Sequence, residues 1–147
     1  MAALQSPPVH STDAARLRAL AEYAILDTDH EDSFDQLALL AARLCSAPMA
    51  VVNFLDAERQ WFKAAVGVPM RETPRSEAFC DQALRSPHQP TVVEDTTRHP
   101  IFATYPSVVG EPHIRFYACI PLVTDEGHAL GTLAVMDTRC RGLAAEE

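Results

Sequence analysis

Between Ile114 and Asp137 the chain is apolar at nearly every position, interrupted only by the polar stretch Thr124-Asp-Glu-Gly-His128. Two runs of β-branched, aromatic and small residues around a Gly-containing turn predict an antiparallel hairpin. Because neither run alternates cleanly, both strands are expected to be covered on both faces. Within the first strand, the two-residue period puts Arg115, Tyr117 and Cys119 on one side and Phe116, Ala118, Ile120 and Leu122 on the other.

Upstream the period changes. After Thr12 or Asp13 as a cap, Leu17, Leu20, Ala21 and Ala24 recur at helical spacing and predict a first helix ending near residues 25–27. Arg16, Arg18 and Glu22 fill the rest of its surface, so its apolar stripe is narrow, suited to lying on a surface or pairing with a second copy. Thr28-Asp-His-Glu31 has the spacing of a capping box, with Asp32 or Ser33 as alternative caps. Phe34, Leu37, Ala38, Ala41, Leu44 and Cys45 then define the core face of a second helix, which Ser46-Ala-Pro48 stops.

Met49–Leu55 and Gln60–Val66 predict a second hairpin about a tight turn, and Gly67–Pro74 a loop. A short helix from Ser76 would bury Phe79, Cys80, Ala83 and Leu84, and Thr91–Glu94 reads as a short strand. The stretch Asp95–His113 contains Pro100, Pro106 and Pro112, which forbid a long regular element. It also carries Ile101, Phe102, Tyr105, Val108 and Val109, too much apolar surface to leave in water, so it is expected to fold back as a lid with a helical turn or two. The succession is α+β with an antiparallel sheet.

A chain of 147 residues, 48% of them hydrophobic, fits one domain with a real core. No apolar run approaches the roughly 20 residues that cross a bilayer. The N-terminus has neither a basic start nor an apolar segment, which predicts a cytoplasmic protein. A formal charge of −8 with a single lysine argues against nucleic-acid and membrane partners. Cys45, Cys80, Cys119 and Cys140 form no C-x-x-C pair, so reduced thiols are expected and no metal site.

Several segments in order resemble the GAF family of sensor domains, in its bacterial branch N-terminal to histidine kinases and diguanylate cyclases. They are Ala24-Ile-Leu-Asp-Thr28, Phe34-Asp-Gln-Leu37, Arg59-Gln-Trp-Phe-Lys63, Pro74-Arg75, Ala78-Phe-Cys80, Val93-Glu-Asp95, Arg115-Phe-Tyr-Ala118, Pro121-Leu122 and Gly131-Thr-Leu-Ala-Val-Met-Asp137. The resemblance implies a central antiparallel sheet of five to six strands, with terminal helices on one face. A small-molecule pocket under the short helix and the lid would occupy the other face. It also implies a homodimer through the terminal helices and an output kinase or cyclase domain in cis, as in two-component systems. On this reading residues 1–11 are a flexible arm, 12–143 the sensor domain, and 144–147 the start of a truncated signalling helix.

The ligand-binding residues expected are Trp61, Phe62, Arg75, Phe79, Cys80, Asp95, Phe102, Arg115, Tyr117 and Cys119; no catalytic residue is expected, and the cofactor is unknown. Arg75 and Arg115 would offer forked donors to a carboxylate, phosphate or carbonyl, with Asp95 orienting them, or Asp95 would simply pair with one arginine and pin the lid. The aromatic residues would wall a pocket or fill the core. Cys80, near a helix start, raises the alternative of a cysteine-dependent methionine sulfoxide reductase, as some GAF proteins are, although no second cysteine lies in the lid. A dimerisation module with a collapsed pocket is the other alternative. No Cys-His pair offers bilin attachment, His99 and His113 are weak haem ligands, and the cyclic-nucleotide signature of the family cannot be assembled.

Overall fold

Six strands form one antiparallel sheet in the computed structural model, which describes residues 12–144. The strands are β1 (Met49–Leu55), β2 (Arg59–Val66), β3 (Glu72–Pro74), β4 (Thr91–Val93), β5 (Phe116–Val123) and β6 (Ala129–Asp137), in spatial order β3-β2-β1-β6-β5-β4. The central pair β1 and β6 are buried along nearly their whole lengths. Gly131 lies opposite Phe54, and a Cβ there would meet the Asn53 carbonyl oxygen at 1.8 Å, so only glycine lets these two strands close. The hairpin β5–β6 is present as expected, but the far half of β5 is open: Ile120 is 49% exposed.

The helices α1 (Asp13–Tyr23) and α2 (Asp32–Leu44) cover one face, packing Leu20, Ala38 and Ala42 against Val52, Phe54, Trp61, Phe116 and Val135. Thr12 caps α1, accepting from the Ala15 amide. Arg16 is not part of the exposed cover of α1. It lies four residues before Leu20, on the buried stripe, with its Nε bonded to Asp13 and both terminal nitrogens without a hydrogen-bond partner among the described residues. The capping box on α2 does not form either, since Glu31 makes no side-chain cap.

Thr28 and Glu31 serve Lys63 instead. A β-bulge leaves Lys63 unpaired between Phe62 and Ala64, and turns its fully buried side chain to the helical face. There it meets Glu31 at 2.8 Å, Thr28 Oγ1 at 2.8 Å, the Asp29 carbonyl and the Phe34 ring. Leu37, Leu40 and Leu44 of α2 face outward; Leu40 is 52% and Leu44 62% exposed. The core face of α2 is therefore narrower than its sequence predicts.

The opposite face is roofed by the segment between β3 and β5. β3 occupies the end of the expected loop as a three-residue edge strand. A 3-10 turn at Arg75–Glu77 leads into α3 (Phe79–Ala83). The lid folds as 3-10 turns at Thr96–Arg98 and Phe102–Thr104 followed by α4 (Pro106–Val109). His99 Nδ1 accepts from the amides of Ile101 and Phe102, and its ring stacks on Phe102 at 4.0 Å. Residues 141–144 have no helical structure, and the expected arm and the last residues of the expected C-terminal helix lie outside the described residues. No helix among the described residues is long and apolar enough to cross a membrane.

Candidate functional site

Between sheet and lid lies a cavity of about 340 Å³, at the lower end of the range for small-molecule sites. Its floor is the face of β1, β2, β5 and β6 that carries Val51, Asn53, Phe62, Tyr117 and Met136, brought together by the sheet register. Phe79 from α3 forms one wall, stacked on Tyr117 with ring centroids 4.9 Å apart and planes 17° apart. Val68 and Met70 close the β2–β3 side, and Ser107, Glu111 and Pro112 close the lid side.

Two polar atoms in the floor have no hydrogen-bond partner among the described residues. Asn53 donates Nδ2–H to Thr132 Oγ1 at 2.8 Å, while its Oδ1 is buried and unpartnered. The Tyr117 hydroxyl lies against Cys119 and Thr132 without hydrogen-bond geometry to either, and burial pushes its pKa well up. Leaving such groups unpaired costs about 1–3 kcal/mol each. Gln60, on the same face, spends an amide N–H on Thr73 Oγ1 at 2.9 Å.

Of the residues expected at a ligand site, Phe62, Phe79 and Tyr117 line this cavity. Phe102 stands behind them, edge-on to Phe79 at 4.7 Å. Trp61 does not belong with them: it alternates to the other face and packs in the helix-side core. Cys80 is fully buried beside Leu55 and Ala78, and Cys119 is buried nearer the β4 edge. Burial pushes both thiols above their ordinary pKa, the reverse of an activated nucleophile.

The charged candidates are committed to the scaffold. Arg75 binds Asp13 of α1 through two 3.1 Å bonds, binds Asp81 at 3.1 Å, and donates to the Asp56 carbonyl. Arg115 donates to the carbonyls of Val108 and Ile114, tying α4 to the start of β5. Asp95 caps the first lid turn, and bonds from the Thr97 hydroxyl and amide hold its carboxyl below the usual range. None of the three is among the residues that line the cavity.

The residues that sequence reasoning missed are Asn53, Met136 and Glu77. Asn53 carried a visible signal, a lone amide within the apolar run Met49–Leu55. Glu77 lines the cavity half-buried, with no hydrogen bond or ion pair among the described residues.

The GAF domain family model matches residues 29–147. A cyclic di-GMP phosphodiesterase of Pseudomonas aeruginosa is 36% identical over 143 residues, 97% of this chain and 24% of that protein, so the chain spans about a quarter of its relative's length. Among solved structures, the GAF domain of a phosphoenolpyruvate-protein phosphotransferase from Coxiella burnetii superposes with a TM-score of 0.61 at 16% identity, over 90% of this chain and 82% of that one. A free methionine-R-sulfoxide reductase from Neisseria meningitidis superposes with a TM-score of 0.60 at 18% identity, over 95% of this chain and 81% of that one. These two likenesses speak to the fold alone, an α+β domain on a six-stranded antiparallel sheet. With the family model covering most of its length and the sheet, helices and lid in place, this chain belongs to the GAF domain family.

Proposed function

We propose that this GAF domain is a sensory module that binds a small molecule between sheet and lid, passes the ligand state through its helices to an output domain in cis, and has no catalysis of its own. The cavity carries this reading: a collapsed core would not keep about 340 Å³ of apolar space beside the unpartnered Asn53 Oδ1. Ligand in it would order the lid through Phe79 and Tyr117, a shift limited by the difference in affinity between the two states. The two buried, high-pKa thiols support a non-catalytic role over sulfoxide reduction. The similarity to a cyclic di-GMP phosphodiesterase supports an output domain of cyclic di-GMP turnover.

Native mass spectrometry of the purified chain, set against the same sample denatured, tests this reading. A retained mass that disappears on denaturation, and is lost in Val51→Phe, which fills the cavity, is the expected result. Equal retention by the filled variant would sink it.

One observation favours a second role beside the first. Leu37, Leu40, Leu44, Val92 and Ile120 leave apolar surface along α2 and the β4–β5 edge, which supports pairing with a second copy. Leu40→Glu with Leu44→Glu should then turn a dimer into a monomer in sedimentation velocity, and an unchanged sedimentation coefficient would remove this role.

A further inference from the structure

The cavity is unbalanced in charge and in hydrogen-bonding sense. Among the described residues no Lys, Arg or His lines it; the charged residues that do are Glu77 in the wall and Glu111 at the exposed rim, its carboxylate 3.9 Å from the His113 imidazole. Asn53 and Gln60 each direct an amide N–H to a threonine hydroxyl, and Asn53 Oδ1 is buried with no hydrogen-bond partner among the described residues. The apolar walls include the rings of Phe62, Phe79 and Tyr117; Phe79 and Tyr117 each cover one face of the other, and aromatic faces carry negative charge density. A carboxylate or phosphate entering here would lose its water and meet the Glu77 carboxylate, with no Lys or Arg among the described lining residues to receive it and His113 only at the rim beside Glu111. An ammonium group would meet aromatic rings and the half-buried Glu77 carboxylate, which has no partner of its own among the described residues.

We infer that the cavity recognises an organic amine: a small molecule with an apolar body held among Phe62, Phe79, Tyr117 and Met136 and an ammonium group placed against Glu77. This inference rests on the small-molecule reading above and names the ligand class for the same site. Met49, Met70 and Met136 line the cavity, and their flexible, polarisable side chains suit a body of variable shape.

Three probes sharing one body test it: phenethylamine, 2-phenylethanol and 3-phenylpropanoate, cationic, neutral and anionic at pH 7. Each is titrated into the intact chain while the methyl resonances of Met49 and Met136 are followed by NMR. The amine should shift both methyls and bind about tenfold or more tightly than the alcohol, with the carboxylate weakest. In Glu77→Gln, a half-buried change that breaks no internal bond, the preference for amine over alcohol should fall to about twofold or less. If the alcohol or the carboxylate binds as well as the amine at these methyls, the amine assignment is overturned and the small-molecule reading stands. If no probe moves either methyl, both fail. If Glu77→Gln keeps the full preference for the amine, Glu77 is not its anchor and the assignment falls with it.

Discussion

Arg75 and Asp13, 62 residues apart, are joined by two hydrogen bonds of 3.1 Å that run from the turn before α3 to the first turn of α1. The same turn presents Glu77 to the cavity and leads into α3, which presents Phe79, so one guanidinium links the cavity wall to the N-terminal helix. It also bonds Asp81 and the Asp56 carbonyl, and the Asp13 side chain is half-exposed. Arg75→Gln should therefore cost only about 1 kcal/mol in urea unfolding. Amide exchange in α1 should speed up alongside that of residues 76–79. Acceleration confined to one of the two segments would show that they are not linked through Arg75.

His99 makes the lid sensitive to pH. Its neutral Nδ1 accepts two amide hydrogens, and burial lowers its pKa. A group whose pKa is lower folded than unfolded contributes stability above its unfolded value, near 6.5, and loses it as pH falls through the folded value. The wild-type chain should lose stability between about pH 7 and pH 5, and His99→Asn, which keeps an acceptor but does not titrate, should flatten that slope. An equal slope in both, by thermal unfolding across this range, would rule out His99 as its source.

Lys63 and Glu31 should respond unequally to substitution. Glu31→Ala leaves a buried ammonium with only Thr28 Oγ1, the Asp29 carbonyl and the Phe34 ring, and should cost about 1–3 kcal/mol despite Glu31's exposure. Lys63→Met removes the charge and fills the same space, and should fall within about 1 kcal/mol of wild type. Urea titration of the two variants checks the order, and a neutral Glu31→Ala would contradict it.

Gly131→Ala places a methyl group against the Asn53 backbone in the middle of the sheet, and should cost roughly 3 kcal/mol or more, or prevent folding. Gly127, in the β5–β6 turn, has φ +93° and nothing within 4 Å of a built Cβ, so Gly127→Ala should cost only about 1 kcal/mol. Denaturation midpoints of the two variants provide the comparison, and similar midpoints would show that the strands part easily.

The sheet was legible because its central strands are long apolar runs, and the lid because three prolines interrupt an apolar segment that has to be covered. What stayed hidden depends on partners far away in the sequence. Trp61 and Phe62 are both aromatic neighbours in one strand, and nothing local says which of them faces the helices. The bulge at Lys63 is equally silent. Arg75 and Arg115 looked free for a ligand because their acceptors, Asp13 and the Val108 carbonyl, become neighbours only on folding. Arg16 was misjudged for another reason: charge was given more weight than its four-residue spacing from Leu20. The three-residue β3 escaped notice because Pro74 argues against a strand, although a proline is tolerated on an edge.

The sheet ends on both sides in strands of three residues, β3 and β4. A further strand added against either of these short margins would have little to grip, so a passing extended peptide, or another sheet, gains few main-chain bonds there. Self-assembly by strand addition is thereby discouraged at these two short strands at high protein concentration, and association of this domain there is left to side chains.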